Sequence, residues 1–147
     1  MKYSSQIEIN APITAVIDLF DNPDNLGKWM EGLQEFTHLS GTLGEPGAKS
    51  RLVFQMGKRK IEMIETVTVR DLPNEFSGTY EAQGVFNLVK NQFTSLSGNK
   101  TLYTVETEFQ FKGFMRILAF FMPGAFKKQT FKHLSDFKAF VEKEVAA

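Results

Sequence analysis

The chain contains no cysteine, which excludes disulfides, thiolate metal sites and cysteine nucleophiles in one step. It has two histidines, His38 and His133, far apart and with no Glu-x-x-His or His-x-x-x-His pattern beside either. No metal site is expected from so poor a ligand set, and no cofactor. Charge of one sign is missing as well: seventeen basic and seventeen acidic residues cancel. Without a basic excess there is no field of the kind that phosphate-dominated binding requires, so nucleic acid is not an expected partner. A serine elbow, a Walker-type glycine loop and a dinucleotide fingerprint are all absent. The opening residues MKYSSQIEIN carry no apolar signal-peptide core, which gives a cytoplasmic protein as the expectation. The longest apolar run, from residue 117 to 126, is half of the roughly 20 residues that a membrane span needs.

What the chain does have is phenylalanine, fifteen in 147 residues, in a length suited to one domain covering residues 1–147. In YSSQIEI the residues Tyr3, Ser5, Ile7 and Ile9 share one face, so the chain opens on a strand with one buried side. The period then changes in NAPITAVIDLF, where Asn10 is placed to cap and Pro12 suits a first helical turn. DNPDNLGKWM starts a second short helix. Six strands follow, joined by short turns rich in Gly, Pro or Asn, the pattern of antiparallel hairpins. From Phe126 onward, Phe131, Leu134, Phe137, Phe140, Val141 and Val145 recur at helical spacing, opposite Lys128, Lys132, Asp136, Glu142 and Lys143. The expected class is α+β: a curved antiparallel sheet of about seven strands around a long C-terminal helix, with two short helices after the first strand.

Three stretches carry a resemblance. IEINAPITAVIDLFDNPDNLGKWM resembles the opening of the helix-grip fold, LSGTLGEPGAKSRLVF its strand–turn–strand with the Gly44 and Gly47 spacing, and FKKQTFKHLSDFKAFVE its closing helix. The chain thereby resembles the START/Bet v 1-like group, the SRPBCC superfamily of polyketide cyclase/dehydrase-like proteins, over essentially its full length. The resemblance implies a large apolar cavity between sheet and C-terminal helix that takes a lipid, sterol, polyketide or other hydrophobic small molecule. Some members of the superfamily are cyclases or dehydratases and many only bind or carry. It supplies no family-wide catalytic residue.

The strand faces offer the polar candidates. Glu65 falls in register with Ile61, Met63, Val67 and Val69, and a carboxylate on an inward face is costly unless paired, hydrogen-bonded or protonated. It is either a cavity acid with a raised pKa, the single catalytic candidate, or a residue that reaches water or an arginine at a bulge or sheet end. Asn87 and Asn91 alternate with Val85, Val89 and Phe93; inward, they would orient a ligand, and otherwise neighbouring strands satisfy them. Tyr80 lies with Phe76 and Gly78, and Tyr103 with Thr107 and Phe109, as core packing or as cavity phenols. Trp29 is either a plug in the small end of the grip or a ligand wall. Phe54, Met56 and Met63 complete the lining expected from the strands.

The segment GFMRILAFFMPGAFKK has barely any polar face. Pro123 should split it into a short helix and the long one, beside the cavity mouth. Met115, Leu118, Met122 and Phe126 are then expected to line the mouth, since Met adapts to varied ligands. Phe120 and Phe121 would cover the other side, toward a partner subunit, a membrane or a neighbouring loop. No set of residues assembles an acid, a base and a nucleophile, so the sequence favours binding or carriage over catalysis. The alternatives are a cyclase or dehydratase using Glu65 with Tyr80 or Asn91, and an accessory protein docking a membrane surface or another protein. Ligand identity and oligomeric state stay unassigned.

Overall fold

The computed structural model describes all residues from 1 to 147. The chain runs β1 (Lys2–Ile9), α1 (Ile13–Phe20), a 3-10 turn (Pro23–Asn25), α2 (Leu26–Trp29), β2 (Leu33–Ser40), β3 (Lys49–Met56), β4 (Arg59–Asp71), β5 (Glu75–Ala82), β6 (Val85–Ser97), β7 (Lys100–Phe111), α3 (Phe114–Phe121) and α4 (Pro123–Ala146). The strands form one sheet in the order β1-β7-β6-β5-β4-β3-β2, antiparallel throughout. Strands β2 to β7 follow one another as hairpins. β1 alone pairs out of sequence, against β7, so α1 and α2 must carry the chain from one sheet edge to the other. This is the helix-grip architecture expected of the sequence.

Local chemistry sets the joints. Asn22 Oδ1 accepts from the Asp24 backbone N–H at 3.0 Å and starts the 3-10 turn ahead of Pro23. Asn10 does not cap α1, contrary to its expected role. Helix α1 begins after Pro12 with no side-chain cap, while the Asn10 backbone N–H and side chain donate to Glu142 on α4. Pro123 opens α4 at a position that needs no donor, and the backbone at Met122 leaves the helical region there, which separates α3 from α4.

One irregularity in β4 has a large effect. The pairing of β4 with β5 shifts between Val67 and Val69, where one extra residue lies opposite Gly78 and Ser77. Gly78 sits so close that a Cβ there would meet the Thr66 carbonyl oxygen at 2.9 Å. An inserted residue reverses the inward and outward parity of everything after it. Val69, expected inward, is therefore exposed, and Arg70 takes the inward-facing side instead.

Helix α4 lies against β1 and touches α1 and α2, with no comparable contact to β3, β4 or β5. Leu134, Phe137 and Val141 are completely buried there, beside Ile9, Val16 and Tyr103. Phe131 and Val145, assigned to the same apolar stripe by spacing, are exposed, because α4 buries only the narrower arc that reaches β1, α1 and α2. Tyr3 Oη and Thr130 Oγ1 bond at 2.8 Å, and Lys138 Nζ donates to the Glu8 carbonyl at 2.7 Å, fixing the helix along the β1 edge.

Phe20, the last residue of α1, is the centre of an aromatic cluster. Its ring meets Phe93 at 4.9 Å, Phe137 at 5.7 Å, Phe76 at 5.8 Å and Tyr103 at 6.1 Å, all edge-on, with Trp29 at 6.4 Å. Edge-to-face contacts add to burial in such clusters. Phe20→Ala should therefore lower the unfolding free energy by about 3 kcal/mol in urea denaturation. Phe131→Ala, on the exposed face of α4, should change it by less than about 0.5 kcal/mol. Equal effects would show that Phe20 does not join α1 to the sheet and α4.

Candidate functional site

Because α4 rests on the β1 side, the concave face of β3 to β5 is left without a helix packed on it. The space between holds a cavity of about 550 Å³. Its walls are the inward rows of the strands: Phe36 from β2, Ser50, Leu52, Phe54 and Met56 from β3, Ile61, Met63, Glu65 and Val67 from β4, Phe76, Tyr80 and Ala82 from β5, Val85, Asn87, Val89 and Asn91 from β6, and Tyr103, Val105, Thr107 and Phe109 from β7. Trp29 and Phe20 close the α1–α2 end. Of the residues singled out in the sequence, Trp29, Phe54, Met56, Met63, Glu65, Tyr80, Asn87, Asn91, Tyr103, Thr107 and Phe109 thus surround one space.

Met115, Leu118, Met122 and Phe126 do not. Helix α3 runs over the β5–β6 turn and the end of β7 rather than across the mouth. Lys112 N–H bonds the Gly84 carbonyl at 2.9 Å, and Met115 sits against Gly84, whose φ of +76° and lack of a Cβ let it pass. Phe126 packs at a tilt on Phe109 and Phe111 at 5.2 and 5.0 Å and is not among the residues around the cavity, and Met122 is exposed.

Three polar pairs project into the apolar space. Tyr80 Oη donates to Glu65 Oε2 at 2.7 Å, leaving Oε1 with no protein partner. Burial pushes the Glu65 carboxyl above its ordinary value, and the Tyr80 hydrogen bond offsets part of this. Burial, and then the neighbouring Glu65 carboxylate, push the Tyr80 phenol well above its own, so it stays protonated. Tyr103 Oη donates to Asn91 Oδ1 at 2.6 Å, while Asn91 Nδ2 donates to the Phe76 carbonyl at 3.1 Å, so both ends of this amide have a protein partner. Asn87 Nδ2 donates to Thr107 Oγ1 at 2.6 Å and to the Glu108 carbonyl at 3.0 Å. The carbonyl acceptor fixes the amide's orientation, and Asn87 Oδ1 is left without a donor.

Sequence reasoning missed the cavity-facing side of α4. Gln129, Thr130, His133 and Asp136 border the space, although their polarity and spacing match a solvent face. His133 packs at a tilt against Trp29 at 4.8 Å, and burial pushes its imidazole down to about 4, with Asp136 acting in the opposite direction. Trp29 Nε1 is buried without an acceptor. The β4 bulge brings Arg70 to the rim, where it forms a two-pronged bond to Asp21, approaches Glu45 at 3.6 Å and donates to the Gly44 carbonyl at 3.4 Å. One guanidinium so ties the end of α1 to the β2–β3 loop.

Glu65 and His133 give opposite pH signatures. Glu65 holds its proton to higher pH in the folded chain, so its contribution to stability is present at acid pH and lost as pH rises from 4.5 through its raised value. His133 resists protonation when folded, so its contribution is present above 6.5 and lost as pH falls toward about 4. Glu65→Gln, which keeps an acceptor for Tyr80, should gain thermal midpoint over the wild type as pH rises from 4 to 7. His133→Gln should lose less midpoint than the wild type as pH falls over the same range. Curves parallel to the wild type would show that neither group is desolvated.

No group of histidine, cysteine or carboxylate side chains is arranged to hold a metal ion. Comparisons with known proteins agree with this architecture. No curated protein matches the chain. The Zhui aromatase/cyclase from a Streptomyces species superposes with a TM-score of 0.84 at 9% identity, covering 99% of this chain and 95% of that one. A Thermus thermophilus protein gives 0.78 at 14% identity, covering 98% and 99%. Norcoclaurine synthase from Thalictrum flavum gives 0.73 at 13% identity, covering 98% and 87%. Residues 1–142 match the family described as polyketide cyclase / dehydrase and lipid transport, and the chain belongs to that family, within the SRPBCC superfamily.

Proposed function

We propose that the protein binds and carries a hydrophobic small molecule, lipid-, sterol- or polyketide-like, bearing at least one hydrogen-bonding group. The observation that carries this reading is the unfilled volume of about 550 Å³ behind walls that are mainly apolar. Protein interiors are close-packed, with few voids larger than a water molecule. A space within the usual 300–1,000 Å³ range of ligand sites, at the core of so small a domain, is built to be occupied. Apolar walls supply affinity at roughly 25 cal/mol per Å² removed from water. Glu65 Oε1 and Asn87 Oδ1, the acceptors without protein donors, supply orientation. The family's description, which names lipid transport beside cyclase and dehydrase activity, supports the reading.

A second reading rests on Glu65 and Tyr80. A carboxyl held above its ordinary pKa and bonded to a cavity phenol at 2.7 Å has the chemistry of a proton donor and acceptor, as cyclisation or dehydration of a polyketide-like chain requires. The folds of an aromatase/cyclase and of norcoclaurine synthase support it at the level of architecture. Asn91 is the weaker candidate beside them, since Tyr103 and Phe76 engage its Oδ1 and one Nδ2 hydrogen.

Native mass spectrometry of the protein purified from its own host should show a retained small molecule. Met63→Trp, which puts an indole into the cavity from mid-β4, should weaken binding of an anilinonaphthalene sulfonate dye by at least about tenfold. Unchanged dye affinity in a folded Met63→Trp protein would remove the cavity as the site. Glu65→Gln separates the two readings: in an enzyme it abolishes a conversion that the wild type performs on the retained molecule, whereas in a carrier wild type and variant alike retain it unchanged.

A further inference from the structure

Helix α3 presents its apolar side to solvent. Phe114, Phe120 and Phe121 are 73%, 80% and 74% exposed, and Ile117 is exposed beside them, whereas Ala119 on the opposite side is buried. At about 100° per residue, these four exposed positions fall within one arc of about 120°. The arc belongs to a basic segment. Between Glu108 and Asp136 there is no acidic residue, but Lys112, Arg116, Lys127, Lys128 and Lys132 all fall there, in a chain whose total charge is zero. Lys132 is paired with Glu31 and Asp136, and the other four cations form no ion pair.

We propose that α3 is a docking helix for an anionic lipid bilayer, its phenylalanines seated among the acyl chains and the four free cations on the headgroups. Charge and shape together select this occupant. A second copy of the chain would bring four unpaired cations against four more, so self-association through this face is repelled. A bilayer rich in anionic lipid attracts each basic group, at about fivefold in partitioning per charge. A helix with protruding rings suits a fluid interface that closes around it. The site also stands at one end of the cavity. The β5–β6 turn that packs on Met115 is flanked by Ala82 and Val85, both in the cavity wall. Docking therefore brings that end of the cavity to the membrane surface.

The test is co-sedimentation with phosphatidylcholine–phosphatidylglycerol vesicles and with phosphatidylcholine vesicles alone. Wild-type protein should sediment with the mixed vesicles at low salt, release as salt rises, and bind neutral vesicles at least about tenfold less. A Phe120→Asp/Phe121→Asp variant and a Lys127→Glu/Lys128→Glu variant should each lose at least about tenfold in binding to mixed vesicles, with thermal midpoint and dye binding unchanged, because the altered side chains are exposed. Absence of wild-type sedimentation, retention by the double phenylalanine variant, or equal binding to neutral vesicles overturns the proposal. A concentration-dependent dimer abolished by Phe120→Asp/Phe121→Asp overturns it too, by giving the face to a second copy.

Discussion

The seating of α4 on one side of the sheet is the constraint from which the remaining structure follows. Phe137, with no exposed surface, packs against Trp29 at 4.8 Å and Tyr103 at 5.4 Å, and Leu134 and Val141 are buried on either side of it. The polar ties of the helix, Thr130 to Tyr3 and Lys138 to Glu8, also lead to β1. With its packing concentrated on β1, α1 and α2, the helix leaves β3, β4 and β5 uncovered. A void remains as the geometric remainder of a good fit elsewhere.

Two carboxylates beside that void are handled in different ways. Asp21, at the rim, meets a guanidinium in a two-pronged contact, the arrangement that stabilises a charge best. Glu65, further along the wall, has only a phenol, and no cation bonds it. The first is a structural tie between α1, β4 and the β2–β3 loop. The second is an acid whose charge has no cation beside it, and burial holds its carboxyl above the ordinary value. Tyr103 and Asn91 show the contrasting case of a polar pair whose hydrogen bonds are used internally, serving the core.

Much of this was legible in the sequence, because strand alternation is a strong signal when one face is buried. Glu65, Tyr80, Asn87 and Asn91 line the cavity; the period-2 pattern set each in register with apolar neighbours but left open which face of its strand was inward. The pattern failed at Val69 and Arg70, where a single bulged residue reversed the parity, and nothing in VTVR distinguishes a bulge from a regular strand. It failed again at His133 and Asp136, since a polar residue that faces a hollow cannot be told from one that faces water. The third failure was of the opposite kind. Met115, Leu118, Met122 and Phe126 are apolar and were placed on the cavity, but apolar periodicity reports that a helix has a greasy side and not what lies against it.

The place of β1 has a consequence for how the chain is made. β1 pairs only with β7, whose residues begin at Lys100, and α4 then packs on β1. A ribosome that has released residues 2 to 99 has delivered β1 with no strand to join, together with a β2–β6 meander whose greasy concave side still lacks its helix. Long-range closure of this kind is slow and leaves sticky surface in the open. The fold is thus completed by its last third, and the nascent chain must be kept from its neighbours until that third emerges.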